Sequence, residues 1–325
     1  FGNTGIWAGY GQFVDHFLSP LMLEAYAGVP FQPRLRGSLE GIPVAEANAL
    51  LKGSARRRRG VLTHISLRNR LDRSASGYGL DRRNQVAGTE LPREAVLGTI
   101  LKMRKLIGTL TSPFSGDWTR YEDSVPYDVD EHDRKLAFVK AAAQKVDGGV
   151  LLDVGANTGS FSRAIAASFD STLAIDVDPG AVDLLYQRLR ATGSTTITPL
   201  VIDLLNPTPA SGWRNIERPS FLERAGGELG LWLAVLHHLT ITGGVPLGHT
   251  LDLAATLTRR AVIEFVAPSD PMVALIGASR SPEAAPYDEP TFAAEFSQRF
   301  DLIEESSPTP NRRLLFAKSK LWEHS

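Results

Sequence analysis

The stretch Val150-Leu-Leu-Asp-Val-Gly-Ala-Asn-Thr-Gly159 runs directly into Ser160-Phe-Ser-Arg-Ala-Ile-Ala166. An apolar run typical of a strand ends at Asp153, a loop of small residues follows, and apolar residues at helical spacing begin at Phe161. A strand, a tight glycine loop and a helix in this order form the opening unit of a nucleotide-binding α/β sheet. Glycines in such a loop let the backbone approach a ligand where a Cβ atom would collide. The stretch therefore predicts a ligand site, with an ordinary β-α-β turn as the alternative.

Two later apolar runs also end in an acid. They are Thr172-Leu-Ala-Ile-Asp176 and Ile197-Thr-Pro-Leu-Val-Ile-Asp203. An acid at the end of the second strand can accept hydrogen bonds from both hydroxyls of a ribose. Three acids at three successive strand ends suit a ligand with an amino group, a ribose and an adenine amine. They suit a pyrophosphate badly.

These motifs together resemble the class I S-adenosylmethionine (SAM) methyltransferases, whose first motif reads acid-x-Gly-x-Gly-x-Gly. Asp153, Gly155 and Gly159 match that motif, and Asn157 stands at its middle glycine. The resemblance implies an α/β, Rossmann-like fold with seven strands, the last one antiparallel. It implies SAM as the cofactor and S-adenosylhomocysteine as its product. The cofactor-binding residues are then expected to be Asp153, Gly155, Asn157, Gly159, Asp176, Val177, Asp203, Leu204, Ala234, Trp118 and Tyr121.

Segments spread over nearly the whole chain resemble a bacterial methyltransferase family related to nodulation proteins. Among them are Trp7-Ala-Gly-Tyr-Gly-Gln-Phe13, Leu236-His-His-Leu239 and Glu264-Phe-Val-Ala-Pro-Ser-Asp-Pro-Met272. Several segments match at once, so the likeness is specific. It implies a bacterial enzyme but does not identify the methyl acceptor.

Candidate catalytic residues follow the predicted fourth strand, Leu229–Val235. Methyl transfer needs the acceptor, the methyl group and the sulfur in line, and a base where the acceptor proton must be removed. A histidine, with an ordinary pKa of about 6.5, suits that second task. We expect His238 to be this base, with His237 as a second candidate and Glu264 of the fifth strand as the orienting or assisting carboxylate. The alternative is that the histidines cap and pack a loop, and that Glu264 accepts hydrogen bonds from buried loop amides.

The residues after strand four also bear on the acceptor. Many methyltransferases that act on adenine or glutamine amino groups carry Asn/Asp-Pro-Pro-Tyr/Phe there, whereas this chain has Ala234-Val-Leu-His-His238. That difference favours a small-molecule or natural-product-like acceptor. Two alternatives stay open: an RNA or protein methyltransferase that uses the cluster Arg56–Arg59, and a SAM-binding protein without turnover. The alternative for the arginine cluster is that it is an ordinary solvated surface with no binding role.

Composition narrows the remaining classes. A net charge of −1 gives no global field toward nucleic acid or a membrane. The absence of cysteine excludes disulfides, cysteine zinc sites and cysteine-bound iron–sulfur clusters. No apolar run reaches the roughly 18 residues of a membrane span, and no signal-peptide pattern is seen at the start. We therefore expect a soluble, cytoplasmic protein with no membrane partner. No metal is expected, since the adjacent His237 and His238 cannot readily chelate one ion.

The length of 325 residues fits about two domains. Residues 1–110 are expected to form a helical substrate or lid region, and 111–135 a connecting aromatic loop and the start of a helix. Residues 136–325 are expected to form the SAM-binding domain. One helix face in the first region is expected to pack in the core: Trp7, Tyr10, Phe13, Val14, Phe17 and Leu18. A long loop at 206–221 places Trp213, Arg214 and Arg218 among candidates near the site.

Overall fold

The computed structural model describes residues 9–75, 92–113, 129–277 and 285–322. Trp7, Trp118, Tyr121 and most of the predicted connecting segment lie outside these residues. The chain divides into two compact units. The first contains the N-terminal part up to residue 114 together with Pro209–Arg218, and the second contains the rest. The long loop after the third strand therefore contributes its tip to the first unit.

The first unit is helical, as expected. Its helices are α1 (Tyr10–Phe13), α2 (Ser19–Ala27), α3 (Gln32–Leu35), α4 (Val44–Leu50), α5 (Leu67–Ala75) and α6 (Arg93–Ile107). Two π-helical segments, Val14–Leu18 and Val61–Ser66, continue into α2 and α5. Val14 and Leu18 are buried as predicted, but Phe17 is 45% exposed. The π-helical turn between them is wider than an α-helical turn, so it shifts Phe17 off the face that an unbroken α-helix would bury.

The second unit is built on a seven-stranded sheet. Its strands are β1 (Val150–Val154), β2 (Ser171–Asp176), β3 (Ile197–Val201), β4 (Gly227–Trp232), β5 (Thr258–Val266), β6 (Phe300–Thr309) and β7 (Arg312–Ser319). They lie in the order β3-β2-β1-β4-β5-β7-β6. The first five strands pair in parallel, and β7 is antiparallel to both of its neighbours. This order and the reversed last strand confirm the predicted Rossmann-like class.

Helices cover both faces of this sheet. They are α7 (Val129–Ala143), α8 (Ser160–Ile165), α9 (Pro179–Thr192), α10 (Phe221–Arg224), α11 (Leu247–Leu257), α12 (Pro271–Gly277) and α13 (Glu289–Arg299). Alternate residues of β1 enter different cores: Leu152 packs in the cluster that includes α11 and α13, and Leu151 in the cluster that includes α7. Burial on both faces explains why the central strands are nearly continuous apolar runs in the sequence.

Two strand ends differ from the sequence-based boundaries. β3 ends at Val201, not at Asp203, because Asp203 Oδ1 accepts a hydrogen bond from the backbone amide of Leu205 at 2.9 Å and closes a turn. β4 ends at Trp232, not at Val235, because Ala234 takes a left-handed backbone conformation with φ +53°. Both changes move the predicted site residues from the strands into the loops at the carboxyl edge of the sheet.

Candidate cofactor and active site

The loop after β1 is tied to the end of β2. The backbone amides of Gly155 and Ala156 both donate to the carbonyl oxygen of Ile175, each at 2.9 Å. The amide of Asn157 donates to Oδ2 of Asp176 at 2.8 Å. The glycine loop and the strand-end carboxylate are therefore one hydrogen-bonded structure at the edge of the sheet.

Each of the two glycines of the motif leaves room for a different neighbouring side chain. Gly155 has φ +70° and Gly159 φ +74°, in the region that favours glycine. A Cβ atom at Gly155 would lie 2.6 Å from Cγ2 of Val235, in the loop after β4. A Cβ atom at Gly159 would collide with the side chain of Leu185 in α9. The first glycine thus allows two loops to meet, and the second allows a helix to pack against the loop.

The backbone conformation of Asn157 explains why asparagine can stand at the middle glycine of the motif. Its φ is +48°, and asparagine is among the side chains that tolerate this left-handed conformation best. Its side-chain oxygen Oδ1 is buried and accepts no hydrogen bond from the residues that the structure describes. A buried polar atom without a partner costs about 1–3 kcal/mol, so this position fits a ligand that brings a donor such as an ammonium or hydroxyl group.

Asp176 is held between two backbone amides. Oδ2 accepts from Asn157 and Oδ1 accepts from the amide of Asp178 at 2.9 Å. Burial raises the pKa of Asp176, and these backbone donors oppose that shift. Each carboxylate oxygen has a second lone pair, so the group can still accept from two hydroxyls. The next side chain, Val177, is 56% exposed and offers an apolar surface beside the carboxylate. These groups fit the ribose and base of a nucleoside cofactor such as SAM.

Asp203 and Leu204 follow β3 at the same edge. The Oδ1 atom of Asp203 closes the turn described above, and Leu204 packs partly against the apolar core. This geometry leaves Asp203 near the strand end, where an adenine amine was expected to meet it. A contact of either residue with a cofactor stays a prediction.

Asp153 has a partner within the fold. Its side chain is buried, and Oδ2 accepts a hydrogen bond from the Ser162 hydroxyl of α8. Burial raises the pKa of Asp153 to about 6, the Ser162 hydrogen bond opposes this shift, and the nearby Asp176 adds to it. The carboxyl therefore joins β1 to α8 directly. Its predicted contact with the cofactor remains a prediction.

The loop after β4 faces the glycine loop. β1 lies between β2 and β4, so the order of the sheet reverses between β1 and β4. Ligands of open α/β sheets bind at this point, outside the carboxyl ends of the strands. Ala234 lies there with φ +53°, a conformation that costs a residue other than glycine on the order of 1–3 kcal/mol. Backbone strain of this kind is typical of functional loops.

The two histidines differ in their surroundings. His237 is 6% exposed, and within the described part of the chain no group forms a hydrogen bond with its Nδ1 atom. Burial, together with the charges of His238, Arg312 and Lys135, lowers the pKa of His237 to about 3. Burial also lowers the pKa of His238, whose ring lies 4.2 Å from that of His237. His237 is thus a weak base, and the more exposed His238 is the better candidate for proton transfer.

The pKa of His237 predicts an effect of pH on stability. The unfolded chain binds a proton at this residue below pH 6.5 and the folded chain does not until about pH 3, so stability falls as pH falls through this window. Replacement of His237 with glutamine should remove about 1 kcal/mol of the loss in unfolding free energy between pH 6 and pH 5. Urea unfolding at these two pH values measures this difference. The exposed His249 supplies the matched control variant, His249→Gln. An unchanged slope in His237→Gln would contradict the assignment.

Glu264 lies at the centre of a buried ionic network. Its Oε1 atom accepts from Lys135 Nζ at 2.7 Å and from Arg312 Nη1 at 3.1 Å. Lys135 also pairs with Glu131 at 2.9 Å, and Arg312 pairs with Asp270 at 3.1 Å. The side chain of Glu264 is fully buried. These contacts favour the structural alternative for Glu264, with cations in place of loop amides as its donors. An orienting role toward His238 stays a prediction.

Sequence reasoning missed the partners of Glu264. A charged residue inside an apolar strand is expected to have a buried partner of opposite charge, and that expectation was available. The identities of Lys135 and Arg312 were not, because they come from a helix before the sheet and from the last strand.

Among the described residues no group of three or more His, Asp and Glu side chains is arranged to hold a metal ion.

No protein-family model matches the chain. It is 28% identical over 314 residues to nodulation protein NoeA of Rhizobium meliloti strain 1021, which supports the resemblance to nodulation-related proteins. The match covers 96% of this chain and 66% of NoeA. The chain thus spans about two thirds of the length of that relative.

Two methyltransferases are among the solved structures that are similar to this chain. N-methyltransferase NodS of Bradyrhizobium japonicum WM9, in complex with S-adenosylhomocysteine, is 15% identical, with a TM-score of 0.44 and coverage of 64% of this chain and 94% of NodS. Magnesium protoporphyrin IX methyltransferase ChlM of Synechocystis PCC 6803, with bound SAM, is 16% identical. Its TM-score is 0.43, and the match covers 62% of this chain and 88% of ChlM.

Proposed function

We propose that this chain is a SAM-dependent methyltransferase that acts on a small-molecule acceptor. The observation that carries the proposal is the Asp176 carboxylate, fixed between the amides of Asn157 and Asp178 beside the glycine loop. Fixed acceptors need no reorganisation when a ligand with two vicinal hydroxyls arrives, so little ordering entropy is lost on binding.

SAM, when bound, supplies an electrophilic methyl group on a sulfonium whose leaving group is a neutral thioether. Asp176 accepts hydrogen bonds from the ribose hydroxyls, and Val177 and Leu204 offer apolar contact to the adenine. Asp203 accepts from the adenine amine. The buried oxygen of Asn157 accepts from a donor at the amino-acid end. In this proposal the chain contributes position and charge, which is most of what a methyl transfer requires.

The acceptor side is assigned to the loop after β4. His238 removes the acceptor proton where that proton must leave, and the strained Ala234 sets the path of the loop toward it. Ala234–His238 lacks the Asn/Asp-Pro-Pro-Tyr/Phe motif whose Tyr or Phe ring stacks on a nucleobase, so a small acceptor is preferred to a base in RNA. A SAM-binding protein without turnover is the alternative from another class, and S-adenosylhomocysteine production across varied acceptors separates the two.

Asp176→Ala is expected to weaken SAM binding by on the order of 2–4 kcal/mol, because it removes two hydrogen bonds to a charged acceptor. Titration calorimetry of the folded variant measures this change. Asp183→Ala is the control, since Asp183 is an exposed acid of the neighbouring helix α9. Equal SAM affinity in wild type and Asp176→Ala would refute the assignment of the ribose site.

A further inference from the structure

The net charge of −1 is the sum of two units with strong charges of opposite sign. The first unit, residues 1–114 with Pro209–Arg218, contains 18 Lys and Arg against 9 Asp and Glu, a net charge of +9. The second unit contains 17 Lys and Arg against 27 Asp and Glu, a net charge of −10. The expectation that no field attracts the chain to an anionic surface came from the total, and it does not hold for the first unit alone.

Much of the positive charge on the described residues of this unit is exposed. All four residues of Arg56–Arg59 are exposed, and none forms a salt bridge with another described residue. The guanidinium of Arg58 lies over the ring of Tyr26, 6.0 Å from its centre, and the Tyr26 hydroxyl donates to the carbonyl oxygen of Arg59 at 3.1 Å. The arginine segment is therefore anchored by its backbone and one ring, while its charges remain available to a partner.

A second basic segment lies next to the arginines. A Cβ atom at Gly60 would lie 2.6 Å from a methyl carbon of Leu106, so the chain just after Arg59 passes against the last turn of α6. That turn carries Arg104 and Lys105, both exposed and without a salt bridge to a described residue. Two segments that carry exposed cationic side chains thus lie next to each other in the unit.

Exposed aliphatic side chains accompany these cations. In α6, Leu97, Ile100 and Leu101 are 44–60% exposed and form a stripe with spacings of three and four residues. After the arginines, Leu67 and Leu71 are exposed on one face of α5, beside the exposed Arg70. We call the exposed side chains of residues 56–71 and of α6 the basic–leucine surface.

We propose that the basic–leucine surface binds the surface of an anionic lipid bilayer. Clustered Lys and Arg side chains are attracted to anionic head groups, and exposed leucines gain energy when they leave water for the acyl boundary. None of the described helices is long and apolar enough to cross a membrane, so the binding is peripheral. The inference concerns the first unit and does not depend on the methyl transfer proposed above.

Nucleic acid is the competing polyanion, and the apolar residues decide between them. Proteins that bind single-stranded nucleic acid stack bases on aromatic rings. The exposed apolar residues of α5 and α6 are Leu and Ile, which offer no ring for stacking. Aliphatic side chains gain free energy in a bilayer interface and little on a phosphate backbone, so the pairing of leucine with arginine favours lipid.

Sedimentation of the full chain with vesicles tests the proposal. Binding is expected to phosphatidylglycerol-containing vesicles, weakly or not at all to pure phosphatidylcholine, and to fall as salt is raised. The double variant Arg56→Gln, Arg57→Gln should bind about 25-fold more weakly, at about fivefold for each lost charge. The double variant Leu97→Gln, Leu101→Gln should lose roughly tenfold or more. All four side chains are exposed, so folding is expected to be kept.

Matched changes in the second unit supply the controls. Lys140→Gln with Arg190→Gln removes two exposed charges there, and Leu275→Gln removes an exposed leucine; neither should alter vesicle binding. The proposal is overturned if phosphatidylglycerol vesicles do not bind the chain, or if the controls weaken binding as much as the test variants. It is also overturned if single-stranded RNA displaces the vesicles and the leucine variant binds them like wild type.

Discussion

His238→Gln should slow single-turnover methyl transfer by a factor of about 10²–10⁴ and leave SAM affinity unchanged, because a general base contributes about that much and touches only the acceptor. Burial lowers the pKa of His238, so the base is already deprotonated at neutral pH. The wild-type rate is therefore expected to stay level as pH falls from neutral and to decline only below the ordinary histidine pKa of about 6.5. Rapid-quench measurements with the true acceptor at saturating SAM give this profile.

The control for this result is chosen from the neighbouring helix. His249 of α11 is exposed, and His249→Gln should keep both the rate and the pH profile of the wild type. A variant at His238 that transfers methyl groups at the wild-type rate, with folding intact, would leave alignment of the reactants as the whole mechanism. It would also remove the reason for preferring His238 to His237.

Arg312→Met should lower the free energy of unfolding by about 3–5 kcal/mol, the usual result of removing one partner from a buried ion pair. Glu264, Asp270 and Glu131 all pair with this guanidinium, and together they raise the pKa of Arg312 against the effect of burial. Among the described residues, Lys135 is then the cation that still pairs with Glu131 and Glu264. Urea unfolding at pH 7 measures the loss.

The next residue supplies a matched comparison. Arg313 pairs with Glu289 and Glu305 at the surface, at 2.8 and 2.6 Å. Exposed ion pairs contribute about 0.2–1 kcal/mol, so Arg313→Met should cost far less than the change one residue earlier. Similar losses for the two variants would mean that the network around Glu264 is open to water, and the structural role assigned to it would be wrong.

Most of the fold could be predicted from local features of the sequence. The glycine loop after β1 could be recognised because Gly155, Asn157 and Gly159 occupy left-handed conformations, and few residue types tolerate these. A carboxylate at the end of the second strand predicts a ribose contact for Asp176, and the structure places this carboxylate beside the glycine loop. Each of these inferences depends on residues within about 25 positions of one another, where spacing along the chain determines spacing in the structure.

What could not be predicted depends on distant residues or on local exceptions. The partners of Glu264 lie 129 positions before it and 48 after it, at Lys135 and Arg312, and no pattern in the chain joins the three. The exposure of Phe17 follows from a π-helical turn that the helical spacing conceals. The opposite charges of the two units were visible in the sequence, but only once the boundaries of the units were known.

The first unit is discontinuous, and this has a consequence for how the chain is made. Pro209–Arg218 belongs to that unit, and a Cβ atom at Gly212 would lie 2.7 Å from the Leu39 side chain. A ribosome must add about 100 residues after position 114 before this segment exists, which takes roughly 5–20 s. The N-terminal helices are therefore incompletely packed while the first three strands are being synthesised. A fragment that stops at residue 114 would lack Pro209–Arg218 permanently, so its helices would stay incompletely packed. Such truncated chains are expected to aggregate.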